Sequence, residues 1–133
     1  MKLNTYLNFN GNCEEAFKFY EKVLGGKIEM MMPFEGSPSA KDVPSDWGKK
    51  ILHVNMTVGD SLLMGSDAPP QYSSKPAGFA VNIGINDYAK AERIFKQLSE
   101  GGKITMPFQN TFWAQGFGMF VDRYGTPWMI NCE

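Results

Sequence analysis

"NCEEAFKFYEKVLGGKI", residues 12 to 28, returns in altered form as "NDYAKAERIFKQLSEGGKI", residues 86 to 104, and that return decides the fold. In the first copy Ala16, Phe19, Tyr20 and Val23 are spaced as one apolar face of a helix, and Gly25 and Gly26 end it. In the second, Ala91, Ile94, Phe95 and Leu98 take the same places, each 75 residues on, and "GGKI" follows after one inserted residue. One amphipathic stripe resembles any other. Stripe, terminator and following strand in the same order point instead to an internal duplication. Asn12 is expected to cap the first helix with Glu15 reaching back, and Asn86 or Asp87 to cap the second.

Around these helices the chain reads as strands. "NTYLNFNG" (4–11) precedes the first helix, and "KIEMMMPF" (27–34), "ILHVNMTV" (51–58) and "SLLMGS" (61–66) follow it, the last two joined by a tight turn at "GD". The second half repeats the order with "GFAVNIGI" (78–85), "KITM" (103–106) and the hairpin "GMFVDRYGTPWMINC" (118–132), which turns at "DRYG". The fold class is therefore α+β, with two tandem β-α-β-β-β modules at 1–66 and 78–133 joined by the linker "DAPPQYSSKPA" (67–77). The stretch "EGSPSAKDVPSDWGKK" (35–50), rich in Pro, Ser and charge and carrying Trp47, is expected to be a mobile loop able to cover a site.

A chain of 133 residues suits one domain with a real core. With 43% hydrophobic and 20% charged residues and a net charge of -1, composition points neither to disorder nor to nucleic acid as a partner. No apolar run approaches the roughly 20 residues that a membrane span needs, and "MKLNTYLNFNGN" has no signal-peptide core, so a cytoplasmic protein is expected. Cys13 and Cys132 form neither a disulfide framework nor a metal-type pair, and reduced thiols are expected. Aromatic residues at 14% and nine methionines suit an apolar cavity or interface, although a plain core would also use them.

Two β-α-β-β-β copies resemble the vicinal oxygen chelate superfamily of glyoxalases, bleomycin- and fosfomycin-resistance proteins and extradiol dioxygenases. "YLNFNGNCEEAFKFY" (6–20), "LMGSDAPP" (63–70) and "TFWAQGFGMFVDRYGTPWMIN" (111–131) are closer to one branch, the PhnB-like or demethylubiquinone-methyltransferase-like group. The resemblance covers nearly the whole chain. It implies a glyoxalase-like fold, with strands curled into an open, incomplete barrel around a concave pocket, and a homodimer. Metal-using relatives carry four ligands on strands, and the matching positions here are Thr5, Met64, Val81 and Met129, to within about one residue. None supplies the imidazole or carboxylate that a divalent cation requires, and Asn82 or Trp128 one position away would not restore the set. No metal and no other cofactor is expected.

His53, the single histidine, lies outside those four positions. Strand alternation puts His53, Asn55 and Thr57 on one face and Leu52, Val54, Met56 and Val58 on the other. If the polar trio faces a concavity it offers converging hydrogen-bonding groups, with His53 as an acid or base. Otherwise the imidazole merely fills space, bonded to a backbone carbonyl or across the sheet. Asn55-Met56-Thr57 also spells a glycosylation sequon, discounted in a strand of an unexported protein.

The block 111–131 supplies the remaining candidates. Trp113 and Phe117 lie beside glycines and would form a flexible aromatic wall, with Gln115 adding an amide; the alternative buries Trp113 in the core or a dimer contact. Asp122, Tyr124 and Gly125 read as turn residues, and Trp128 as core. "GFG" lacks the lysine, glycine spacing and following helix of a phosphate loop, and no Ser-His-Asp arrangement stands out. No glycine-rich loop follows the first strand, so the methyltransferase label draws little support from the sequence. The leading expectation is metal-independent binding of a small organic molecule in an apolar concave pocket. A lyase, isomerase or dioxygenase using His53 or a metal is the alternative, and interaction through a dimer surface a third.

Overall fold

A computed structural model describes residues 1–133 as two compact units, Met1–Ser74 and Lys75–Glu133. The first contains β1 (Thr5–Phe9), α1 (Cys13–Leu24), β2 (Lys27–Pro33), β3 (Ile51–Val58) and β4 (Ser61–Asp67). The second contains β5 (Val81–Ile85), α2 (Tyr88–Ser99), β6 (Lys103–Gln109), β7 (Gly116–Val121) and β8 (Pro127–Cys132). Each unit is thus the β-α-β-β-β module expected from the sequence. The sheets run β1-β4-β3-β2 and β5-β8-β7-β6, open at both edges, with the first-named pair parallel and the others antiparallel.

The helix covers one face of its sheet and makes the core. In the first unit Leu7, Phe9, Val54, Met56 and Leu63 are buried against Ala16, Phe17 and Tyr20. The buried stripe of α1 is Cys13, Ala16, Phe17 and Tyr20, whereas Phe19 and Val23 lie at its margin. This corrects the expected stripe, and Gly65 is the reason. A Cβ at Gly65 would lie 2.6 Å from Phe17 Cε1 and 2.9 Å from the Leu7 carbonyl oxygen, so the missing side chain is the seat of the Phe17 ring. Burying such a ring contributes roughly 1.5–3 kcal/mol. In the second unit Ala91, Ile94, Phe95 and Leu98 are buried as expected, and Phe95 sits over Gly118, where a Cβ would be 2.5 Å away.

Two boundary readings are also corrected. Asn12 lies at the N-cap of α1 without a side-chain cap bond. The end of α1 is held from a distance by Asp67, whose Oδ1 accepts from Gly11 N–H (2.9 Å) and Cys13 N–H (3.0 Å) while Oδ2 accepts from Ile51 N–H (2.8 Å). Asp67, read as the start of the linker, is therefore the last residue of β4, and it is 3% exposed. A carboxylate at a helix N-terminus satisfies orphan donors and faces the positive end of the helix dipole. Asp87, by contrast, caps α2 locally, accepting from Lys90 N–H at 3.1 Å.

The segment 35–50 contains two short 3-10 turns, at Pro38–Asp42 and Ser45–Trp47. Its base is paired, with Phe34 N–H donating to Lys50 O and Glu35 N–H to Gly48 O, and Trp47 rests edge-on against Phe34 at 6.5 Å. In the second unit β6 runs past Met106 through Pro107, which an edge strand tolerates.

Candidate functional site

The face of each sheet turned away from its helix carries the candidate chemistry. On β3, Val54 and Met56 are fully buried beneath α1, and His53, Asn55 and Thr57 lie half-buried on the opposite face, as alternation requires. The expected trio therefore shares a surface, but its members differ in what they have left to offer. Thr57 Oγ1 donates to Glu29 Oε1 at 3.1 Å, so its proton is committed to the strand edge. His53 Nδ1 is hydrogen-bonded to the Tyr6 hydroxyl at 3.1 Å, with the two rings stacked at 5.6 Å. Tyr6 was not among the sequence candidates, although its place in β1 alternates with buried Leu7 and Phe9. Its pairing with His53 depends on the β1-β4-β3 strand order, which local sequence does not carry.

Asn55 is the unusual member. Its Oδ1 is shielded from solvent and has no hydrogen-bond partner. Register places it between Met30 of β2 and Met64 of β4, and Met64 pairs in turn with Tyr6. An unpaired buried acceptor costs about 1–3 kcal/mol. Such groups in native folds call for an explanation, and an ordered water or a ligand donor would each supply one.

In the second unit, Thr111 N–H donates to Ala114 O and Ala114 N–H to Thr111 Oγ1, closing a tight turn that presents Phe112 and Trp113 outward. Trp113 is 52% exposed and meets Phe117 edge-on at 5.3 Å, so it lies outside the core of its unit and beside the residue expected to share a wall with it. Gln115 is exposed. The neighbouring glycines have a packing role: Gly116 and Gly118 are buried within β7, where a Cβ would strike Phe108 and Phe95. Phe117 pairs with Asn131, whose Oδ1 is the other shielded acceptor without a partner. Asp122 Oδ1 accepts from Tyr124 N–H (2.8 Å) and Thr126 N–H (3.0 Å), setting the expected turn, while Oδ2 accepts from Trp128 Nε1–H at 2.8 Å in the core.

Of the four ligand positions inferred from the superfamily, register does not place Thr5 and Val81 in the rows of Met64 and Met129. Thr5 pairs with Leu63 and Val81 with Trp128, in the rows beneath the helices. The residues that share a row with Met64 and Met129 are Tyr6 and Asn82. A phenol and a thioether in one unit, an amide and a thioether in the other, do not fit a hard or borderline divalent cation. No group of three or more His, Cys, Asp or Glu side chains is arranged to hold a metal. Cys13 is no nucleophile: burial pushes its thiol far up, and the charges of Asp67 and Glu14 add to the effect.

Two sheets of this order, each with a parallel β1-β4-type pair and one covering helix, define the glyoxalase-like fold. A glyoxylase/bleomycin resistance protein/dioxygenase domain from Frankia sp. EAN1pec shares that fold at 9% identity, with a TM-score of 0.68 over 99% of this chain and 96% of that one. Within this class the family described as 3-demethylubiquinone-9 3-methyltransferase matches residues 1–131, and the chain belongs to that PhnB-like family. It is similar to Protein YjdN of Escherichia coli K12, 37% identical over 98% of this chain and 95% of that protein. It also superimposes on protein PA1353 of Pseudomonas aeruginosa with a TM-score of 0.91 at 46% identity, covering 100% and 98% of the two chains.

Proposed function

We propose that the open face of the first sheet binds a small, partly apolar organic molecule bearing a hydrogen-bond donor, without a metal ion. The observation that carries this reading is the shielded, unpartnered Asn55 Oδ1 on the same face as the Tyr6–His53 pair. The pair supplies orientation, Met30 and Met64 supply adaptable apolar contact, and a ligand N–H or O–H would satisfy Asn55. Trp113 and Phe117 offer a second, aromatic contact surface, with exposed Gln115 beside it. The methyltransferase named in the family's description is not carried over, since fold alone does not assign a reaction. A homodimer, proposed from the family resemblance, would give twice the chain mass by light scattering; a monomer would refute it.

The test is an NMR screen of the whole chain against a fragment set of phenols, lactams and aromatic acids. The reading expects hits whose shifts centre on Tyr6, His53 and Asn55 and which bind equally well after exhaustive metal removal. Hits scattered over the surface, or none, would overturn it. A second reading, a metal-free lyase or isomerase, is favoured by the Tyr6–His53 hydrogen bond, through which a proton could pass between phenol and imidazole. It expects turnover of a bound compound that is lost in both Tyr6→Phe and His53→Gln; binding without turnover would leave the first reading.

A further inference from the structure

Six methionines, Met30, Met32, Met64, Met106, Met119 and Met129, belong to the open faces, while Met56 is buried beneath α1 and Met31 pairs with Val54 in a row beneath that helix. Aligning the two units by register makes their central rows equivalent. Tyr6–Met64–Asn55–Met30 crosses the first sheet and Asn82–Met129–Met119–Met106 the second, each ending at a strand irregularity, between Ile28 and Met30 or between Ile104 and Met106. In the first row an amide interrupts the thioethers. In the second, three thioethers are consecutive.

Neighbours in such a row have Cβ atoms about 4.5–5.5 Å apart. A methionine has three rotatable bonds, so Met106 and Met129 can each lean over central Met119 and bring three sulfur atoms around one point. The row is not packed beneath α2, whose partners are the alternate residues Phe120, Trp128 and Ile130. It is also accessible, with Met106 38% exposed and Met119 and Met129 half-buried. No carboxylate or imidazole stands in the row to attract a harder ion. Neutral thioethers are soft donors that select copper(I) over zinc, magnesium or manganese.

We propose that Met106, Met119 and Met129 form a three-thioether site for copper(I). The site is independent of the organic-ligand reading, because it shares no residue with Tyr6, His53 and Asn55.

The test is anaerobic titration of the untagged chain with copper(I) buffered by bicinchoninate, reading one ion per chain. Met106→Leu, Met119→Leu and Met129→Leu preserve side-chain volume and are each expected to weaken binding about tenfold or more, as loss of one of three soft ligands requires. A parallel measurement needs no variant: silver(I) added to protein carrying 13C-methyl methionine should shift the Met106, Met119 and Met129 methyls and leave Met30, Met32 and Met64 in place. Absence of binding would overturn the proposal. So would shifts centred on the first sheet, or unchanged affinity in the triple leucine variant, which would point to the buried thiols Cys13 and Cys132.

Discussion

The two units share a backbone plan down to the irregularity in the edge strand, and they diverge on the face that no helix covers. Beneath the helices both rows are apolar and closely packed, and each helix sets an aromatic ring on a glycine: Phe17 on Gly65 of β4, Phe95 on Gly118 of β7. On the open faces the equivalent positions hold Tyr6 and Asn82, His53 and Phe117, Asn55 and Met119. Packing against a helix restrains what a duplicated sheet can change, whereas an uncovered face accepts new chemistry at little structural cost. The first open face thus carries a phenol, an imidazole and an amide where the second carries an amide, an aromatic ring and a thioether.

Each unit also has one buried aspartate that gathers donors, and these provide the largest expected effect. Asp67→Ala strands the N–H groups of Gly11, Cys13 and Ile51 and is expected to cost roughly 3 kcal/mol or more, at about 1–3 per stranded donor. Asp122→Ala strands the N–H groups of Tyr124 and Thr126 and the Trp128 Nε1–H, again two buried donors and one part-buried, and should cost about as much, roughly 3 kcal/mol. Urea unfolding of both variants checks this, and a clearly smaller loss at either would mean that its carboxylate does not hold the donors described.

Next come the glycine seats. Gly65→Ala and Gly118→Ala force Cβ contacts of 2.6 and 2.5 Å onto Phe17 and Phe95 and onto nearby backbone, with an expected loss of about 1–3 kcal/mol each by the same assay. A neutral result at either would mean that the ring above it is not seated as described.

Cys13 gives a smaller, pH-dependent effect. Its thiol is raised in the fold above the reference value of 9.0, so the stability linked to it is complete below that pH. As pH rises past it the unfolded chain loses a proton that the folded chain keeps, and stability falls. Alkylation by iodoacetamide at pH 8 should therefore be slow until urea is added, and the alkaline loss should be reduced in Cys13→Ala. Rapid alkylation of the folded chain would contradict the burial.

Much of the frame was legible because it is local. The period of two in "ILHVNMTV" separated His53, Asn55 and Thr57 from Val54 and Met56 correctly, and the matched helix ends at 25–28 and 101–104 revealed the duplication. What escaped depends on pairings between distant segments. Phe17 is buried because Gly65 lies opposite, and Asp67 acts on an N-terminus more than 50 residues away in sequence. Tyr6 meets His53 only once β4 lies between their strands. The first two strands of each unit repeat at 76 residues, from Thr5 to Val81 and from Lys27 to Lys103, the helices at 75, from Cys13 to Tyr88, and the last two strands at 65 and 66, from Ile51 to Gly116 and from Ser61 to Pro127.

The most direct measurement is the stability of Asn55→Leu set beside its binding of a fragment that the wild-type protein takes up. If Asn55 Oδ1 is held without a partner for a ligand, leucine removes a shielded polar group and the variant should be as stable as wild type or up to about 1 kcal/mol more so. Fragment binding should be lost. A variant that is clearly destabilised yet still binds the fragment would show that Asn55 serves the fold, and would contradict the site assigned to the first sheet.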